Sequence, residues 1–154
     1  MRKYFEDLVE GERLDCQPLV VTRDAIIDFA KRFDPQPFHI DEAVARQSLF
    51  GGLVASSLHI LSVCTRSVVD AQGEIAILSG VGMHAVTLVN PVRPGDMLSV
   101  NARWSELRKS DSKPDRGFAS ILCNVHNQRQ ELVMSYGYRY LIGCRDFKMP
   151  AQDT

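Results

Sequence analysis

The segment from Gly51 to Cys64 constrains the fold of this 154-residue chain more than any other part of the sequence. It contains no aspartate, glutamate, lysine or arginine, and small or apolar residues would cover every side of the helix that it predicts. A helix without a polar face is a buried helix. If the helix continues to about Asp70, it has about 18 residues and a length of about 27 Å. We therefore predict a long apolar helix that crosses the centre of the domain.

The hydrophobic pattern changes its period after Gly73, where segments rich in β-branched and aromatic residues follow one another. They predict strands at 75–89, 97–108, 117–127 and 131–142. Turn residues between them, such as Asn90-Pro91, favour short connections and therefore antiparallel pairing. An apolar helix followed by such strands predicts an α+β hot-dog fold, in which a curved antiparallel sheet wraps around the long central helix.

Two shorter helices are predicted before the central one. Thr22 is a favourable N-cap for a helix over 23–33. This helix should end at Asp34, because Pro35 pushes the residue before it out of the helical region. Asp41 can cap a second helix that extends to about residue 47.

No internal repeat, low-complexity tract or linker divides the sequence, so we predict a single domain over residues 1–154. A strand or extended segment at 14–22 would precede its first helix. The edges of a small sheet carry unpaired backbone groups, which proteins usually protect. Pairing with a second copy of the chain would cover them, so we expect a homodimer or a higher homo-oligomer.

The composition excludes several classes of partner. A formal net charge of −1 and a pI near 6.4 give no electrostatic reason to expect nucleic acid or an anionic membrane as the main partner. No stretch reaches the roughly 20 apolar residues of a membrane span, and the amino-terminal sequence turns acidic where a secretory signal needs apolar residues. No metal-ligand spacing joins the cysteines, which are Cys16, Cys64, Cys123 and Cys144. We therefore expect free thiols, no metal site and a cytoplasmic location.

Asp34 and His39 are the first candidates for catalysis. They lie in a segment that we predict as a loop between two helices, stiffened by Pro35 and Pro37. The two side chains can accept and donate protons near neutral pH. Six extended residues span roughly 15 Å or more, so the loop has to bend for both groups to contact one water. Each residue also has an ordinary alternative: Asp34 could merely end a helix, and His39 could be a hydrogen-bonded structural residue.

Gly51 and Gly52 are predicted to open the central helix. The first four amides of a helix lack intrahelical partners, and the helix dipole there favours negative charge. Glycine lets a ligand oxygen approach these amides closely. A thioester carbonyl bound there would have its oxyanion stabilised by about 3–4 kcal/mol. The alternative is that the two glycines only end a loop and allow the helix to pack tightly.

The same segments resemble the MaoC-like dehydratase family, which includes the (R)-specific enoyl-CoA hydratases. The family signature Asp-x-Asn-Pro-x-His is represented here by Asp-Pro-Gln-Pro-Phe-His at residues 34–39. The glycine that opens the family's central helix corresponds to Gly52. Downstream, Asn-Pro-Val-Arg-Pro-Gly-Asp at residues 90–96 resembles the family's Pro-Val-x-x-Gly-Asp turn. The likeness extends from about Phe5 to Tyr140.

The resemblance implies hydration of a trans-2-enoyl thioester, or the reverse dehydration of a (3R)-hydroxyacyl thioester. Asp34 and His39 would polarise one water, delivering hydroxyl to C3 and a proton to C2, while the N–H of Gly52 would hold the thioester oxygen. The substrate would be an acyl-CoA or acyl-carrier thioester, and no cofactor is expected. Further candidates for contacts with the substrate, which could instead be small packing residues, are Gly51, Ser56 and Ser57.

Three positions depart from the family pattern. Gln36 replaces asparagine, Gly51 replaces a histidine before the oxyanion glycine, and Ile60 replaces a helix serine eight positions after it. Two other functions therefore stay open. One is an acyl-CoA thioesterase, in which a carboxylate activates water toward the carbonyl. The other is a non-catalytic protein that binds acyl thioesters. The order of residues in the Asp-x-x-Pro-x-His segment favours hydration.

The other histidines are expected to have structural roles. His59 lies on the predicted central helix, where packing or hydrogen bonding explains it. His84 and His126 lie in predicted strands without a second ligand at metal spacing.

Overall fold

Four long strands form most of the sheet in the structure, a computed structural model that describes residues 1–148. They are β3 (Ile77–Leu88), β4 (Met97–Lys109), β5 (Arg116–His126) and β6 (Leu132–Gly143). They pair antiparallel, and each begins and ends within a few residues of its predicted position. The predicted strand sequence is therefore confirmed.

Two short strands extend the sheet at the β4 side. They are β1 (Arg13–Leu14) and β2 (Leu19–Val20), and both pair with β4. The complete order is β1-β4-β5-β6-β3, with β2 beside β4. The segment predicted as extended at 14–22 is thus not one continuous strand, since it contains Pro18, which has no N–H to donate to a ladder.

The first and third helices begin where the sequence predicts. These are α1 (Arg23–Phe33) and α3 (Glu42–Gln47). Thr22 Oγ1 accepts a hydrogen bond from a first-turn amide of α1, and Asp41 Oδ1 accepts from two first-turn amides of α3. The side-chain oxygens satisfy amides that have no intrahelical partner, which fixes both starting points.

The central helix, α4 (Ser57–Gln72), begins later than the predicted start at Gly51. Gly51 lies in a turn with a φ of 65°, a left-handed conformation that favours glycine. Immediately before α4, the Ala55 N–H donates to the carbonyl of Val92 at 2.9 Å. The backbone between the glycines and Ser57 therefore pairs with other segments of the chain and cannot form the first turns of the helix.

One stripe of α4 is buried in the domain. Ile60, Cys64, Val68 and Gln72 are buried at a spacing of four residues, as expected for one face of a helix. Leu58, by contrast, has 51% of its surface exposed. The prediction that the central helix is buried on all sides was therefore wrong for the single chain. The apolar composition of a helix does not show how much of its surface the sheet can cover.

The core lies between α4 and the sheet. Trp104 of β4 and Ile121 of β5 are fully buried and belong to the same cluster as Ile60 and Cys64 of the helix. Burial of one large apolar side chain contributes about 1.5–3 kcal/mol. A curved antiparallel sheet around a central helix is the hot-dog arrangement, so the predicted fold class is confirmed.

The cysteines are free thiols, as expected. Cys64, Cys123 and Cys144 are buried, whereas Cys16 is partly exposed. Among residues 1–148, none of the helices combines the length and the apolar character that crossing a membrane requires.

Candidate active site

Asp34 stands at the carboxyl end of α1, where the chain is forced to turn. Its N–H still donates to the Ala30 carbonyl at 2.9 Å, but Pro35 prevents the helix from continuing. Two side chains donate to its carboxylate: Ser56 Oγ to Oδ2 at 2.6 Å, and Gln36 Nε2 to Oδ1 at 2.9 Å. These hydrogen bonds, that from Ser56 above all, lower the pKa of Asp34 although partial burial opposes them. The side chain is therefore a carboxylate at neutral pH.

His39 lies in a single helical turn, α2 (Pro37–Ile40), so the predicted loop was wrong in this part. Pro37 occupies a first-turn position, where the missing N–H has no intrahelical partner to lose. The imidazole is buried, and its Nδ1 lies 2.6 Å from the Val54 carbonyl oxygen. Because a carbonyl can only accept, Nδ1 carries the proton and Nε2 of the neutral ring is an acceptor. Nε2 lies 3.5 Å from Asp34 Oδ2, so the helical turn supplies the bend that the pair requires.

The Asp34–His39 pair borders a cavity of about 380 Å³. Most of its wall is apolar, and the polar side chains besides the pair are Gln36, Ser57 and Asn90. Apolar residues from helices, strands and loops complete the wall, among them Phe38, Phe50, Ile60, Leu88, Val133 and Met134. An apolar cavity of this size with a few convergent polar groups is typical of a small-molecule site.

Gly51 and Gly52 do not border this cavity. Gly51 is exposed in its turn, and Gly52 lines a separate depression beside Arg93. The structure therefore does not bring the predicted oxyanion glycines together with Asp34 and His39. The cause is the late start of α4, which separates the glycines from the unpaired amides of the helix.

Ser57 is the first residue of α4, the position that the sequence predicts for Gly52. It borders the cavity, and its N–H has no hydrogen-bond acceptor within residues 1–148. Ser56 caps the helix by accepting from a first-turn amide at 3.2 Å. The preference of serine for N-cap positions was the signal that would have indicated this start. Counted from Ser57, the family's helix serine corresponds to Thr65 and not to Ile60.

The other histidine, cysteine and carboxylate side chains of the described residues do not border this cavity. His59 is buried and stacks on Phe29, with ring centroids 4.9 Å apart, and burial lowers its pKa. Within the described residues, the pair alone contributes histidine, cysteine or carboxylate groups to the cavity wall. A cluster that could hold a metal ion lies elsewhere and does not border the cavity. It consists of Glu6, Cys144 and Asp146, whose ligand atoms lie within 4.8 Å of one another.

Replacing Ser56 by alanine is expected to raise the pKa of Asp34 and to destabilise the fold. The change removes a hydrogen bond to the carboxylate and also the N-cap of α4, whose loss costs about 1 kcal/mol. Since the folded pKa of Asp34 is depressed, its stabilising contribution is complete above about pH 4 and is lost as the pH falls through that folded pKa. The variant should therefore lose less stability on acidification than the wild type.

Thermal unfolding at several pH values, together with titration of the Asp34 carboxyl by NMR, measures both effects. Ser62→Ala is the matched control, because this exposed helix hydroxyl donates only to a carbonyl of α4. An unchanged Asp34 pKa in the Ser56 variant would contradict the prediction.

A curved sheet around a central helix defines this chain as a hot-dog-fold domain, and a carboxylate and an imidazole lie together at one apolar cavity. Residues 5–119, more than half of the chain, match the family model described as MaoC like domain. The chain therefore belongs to the MaoC-like domain family. The resemblance inferred from residues 34–39 and 90–96 is confirmed.

Several proteins are similar to this chain. The crystal structure of the MaoC-like dehydratase from Rhodospirillum rubrum is 36% identical with a TM-score of 0.84, covering 94% of this chain and 99% of that one. YdeM, an uncharacterized protein of Bacillus subtilis (strain 168), is 28% identical over 131 residues, which are 84% of this chain and 91% of YdeM. The (R)-hydratase from A. caviae involved in PHA biosynthesis is 18% identical with a TM-score of 0.69, covering 90% of this chain and 98% of that one. This last similarity shows the fold alone.

Proposed function

We propose that this protein hydrates the double bond of a trans-2-enoyl thioester to give the (3R)-hydroxyacyl thioester, and that it catalyses the reverse dehydration. The observation that carries the proposal is the 3.5 Å separation of His39 Nε2 and Asp34 Oδ2 at the wall of one apolar cavity. Membership of the MaoC-like domain family and the similarity to the dehydratase from Rhodospirillum rubrum support this class of reaction.

The His39 ring is oriented to accept a proton from water. Its Nδ1–H donates to the Val54 carbonyl, so the lone pair of Nε2 points toward Asp34 and the cavity. One water can donate to both Nε2 and the Asp34 carboxylate. As its oxygen bonds to C3, the C2–C3 π bond breaks and Nε2 takes a proton, which the adjacent carboxylate stabilises. The imidazolium then delivers this proton to C2, so that one water is added and no other reactant is consumed.

The backbone N–H of Ser57 is the donor that we propose for the thioester oxygen. It lies at the amino end of the 16-residue helix α4, where the helix dipole favours negative charge. Attack of water at C3 moves negative charge onto the thioester oxygen, because C2 becomes part of an enolate. An amide without another acceptor is prepared for this charge and needs no rearrangement in the transition state.

A basic depression beside the cavity would hold phosphate groups of coenzyme A or of a carrier-bound pantetheine. Arg46 and Arg93 line it, and Arg93 Nη2 donates to the carbonyl of Phe50, a residue of the cavity wall. Glu42 also lines the depression, but its carboxylate is paired with Arg23 at 2.7 Å. Guanidinium groups bind phosphate oxygens through paired hydrogen bonds. The arrangement therefore supports an acyl thioester as the substrate.

Incubation of the protein with crotonyl-CoA tests the proposed reaction. Loss of the enoyl absorbance without release of free thiol is the expected result. Thiol release would instead indicate a thioesterase, and saturable binding without either change would indicate a non-catalytic protein that binds acyl thioesters. Either of these outcomes would contradict hydration as the function.

The edge strand β3 is where we propose that two copies of the chain pair. It ends the strand order, so within residues 1–148 its outer side has no neighbouring strand. Apolar side chains along it are exposed, including Val81 at 46%, Met83 at 50% and Leu88 at 58%. A long apolar edge strand favours pairing with another strand. Two β3 strands related by a two-fold axis would extend the sheet across a homodimer.

Met83→Lys is expected to shift the dimer toward the monomer, because it places a charge within the proposed apolar interface. Sedimentation velocity over a range of protein concentrations measures the change. Met97→Lys is the matched control, since Met97 of β4 is 42% exposed and lies at the opposite side of the sheet order. An unaltered dimer in the Met83 variant, or a wild-type protein that stays monomeric, would exclude pairing through β3.

A further inference from the structure

The outer face of the sheet carries a second cavity, of about 530 Å³, which the proposed hydration does not use. Along β4, Asn101 and Arg103 of its wall alternate with core residues such as Trp104, so they point away from the core. The other polar side chains of the wall are Arg13, His84, Asn124, His126, Ser135 and Tyr136. Within residues 1–148, no aspartate or glutamate borders this cavity. We refer to it as the outer-sheet cavity.

Arg13 and Arg103 give this cavity an unusual concentration of positive charge. They are directly opposite each other in the β1–β4 pair, where the Cα atoms of partners are about 4.5–5.5 Å apart. Like charges at such positions destabilise a sheet. Both residues are exposed, and across the part of the chain that the structure describes neither side chain forms an ion pair or a hydrogen bond. A bound anion would supply the missing counter-charge.

The Glu106 carboxylate, which lies on the same face, is engaged elsewhere. Its Oε2 accepts a hydrogen bond from Ser120 Oγ at 2.6 Å and lies 3.3 Å from His84 Nε2. This contact holds the carboxylate outside the outer-sheet cavity and orients the His84 ring at the cavity wall. The network therefore leaves the arginine pair available for a ligand.

We propose that the outer-sheet cavity binds a small phosphorylated molecule of about nucleotide size. Two adjacent guanidinium groups can bind the oxygens of one phosphoryl group through paired hydrogen bonds. Asn101 and Asn124, which are direct partners in the β4–β5 pair, offer both donors and acceptors to the uncharged part of such a ligand. The cavity volume lies within the range of about 300–1,000 Å³ that is usual for small ligands. The site is independent of the Asp34–His39 chemistry.

Calorimetric titration of the protein with ADP and with pyrophosphate, at physiological ionic strength, tests the proposal. The double variant Arg13→Gln/Arg103→Gln is expected to bind both probes at least about tenfold more weakly, the usual effect of removing hydrogen bonds to a charged group. Lys31→Gln/Lys109→Gln removes the same charge at exposed positions outside the cavity and should bind as the wild type does. The thermal midpoint of the arginine variant should be unchanged or higher, because a repulsive pair is lost; a purely structural role would lower it.

Four results would overturn the proposal. The wild type could bind neither probe, or the arginine variant could bind both with unchanged affinity. ADP binding could be lost in Arg46→Gln alone, which would place it in the depression beside the catalytic cavity. Finally, succinate could bind as tightly as pyrophosphate, which would make the outer-sheet cavity a carboxylate site.

Discussion

Asp34→Asn and His39→Ala are each expected to lower kcat for the hydration of crotonyl-CoA by at least about 10²-fold, the usual contribution of a group that transfers protons. The alanine removes the Nε2 that we propose as the acceptor of the proton of water. The asparagine keeps the size of the side chain but removes the negative charge that would stabilise the proposed imidazolium 3.5 Å away. Steady-state rates measured from the enoyl absorbance provide the comparison.

Asp28→Asn is the matched control for the carboxylate, because Asp28 is exposed on the same helix and does not border the cavity. His39→Ala also leaves the Val54 carbonyl without its donor, so its unfolding temperature must be measured beside its rate. His39→Gln provides a second test, since an amide N–H can donate to that carbonyl but the side chain cannot act as a base. Wild-type turnover in folded Asp34 and His39 variants would remove the proposed mechanism.

Ser57→Pro is expected to lower kcat by about 10²–10³-fold, the usual effect of deleting one oxyanion donor. Proline lacks the N–H that we assign to the thioester oxygen, yet it is favoured at the first position of a helix. Ser56 has φ −59° and ψ 140°, an extended conformation that a residue before proline readily adopts. The substitution therefore deletes one backbone donor while keeping the start of α4 in place.

Ser57→Ala separates the role of the amide from that of the side chain. It keeps the N–H and should retain most of the activity, whereas the proline variant should not. Circular dichroism and thermal unfolding of both variants check that α4 is intact. Equal rates for the alanine and proline variants, with both folded, would show that the Ser57 amide does not stabilise the transition state.

The structure shows what the three positions that depart from the family pattern contact. Gln36, which replaces asparagine, donates a hydrogen bond to Asp34 at 2.9 Å and so supports the ionised carboxylate. Gly51 lies in an exposed turn away from the cavity wall, and the residue before the start of α4 is Ser56, which donates to Asp34. Ile60 forms part of the apolar wall and is not a departure, because the family's helix serine, counted from Ser57, corresponds to Thr65.

The sequence alone was sufficient for the four long strands, the two capped helices and the choice of Asp34 and His39 as candidates. Strand positions such as 97–108 and 117–127 follow from local alternation, which depends only on the period of side chains along an extended chain. The caps at Thr22 and Asp41 are equally local, because each oxygen bonds amides two or three residues away. Asp34 and His39 were identified because two prolines and two titratable groups fall within six residues.

Only the tertiary structure decided where the central helix begins and which unpaired amide borders the cavity. The Ala55 N–H is taken by the Val92 carbonyl, a partner distant in sequence, so the helix starts at Ser57 and not at the glycines. The convergence of Asp34 and His39 likewise depends on the Val54 carbonyl, which fixes the His39 ring. A backbone N–H can bond within its own helix or to a partner distant in sequence. Which of the two bonds forms depends on the segments that the complete fold places beside it.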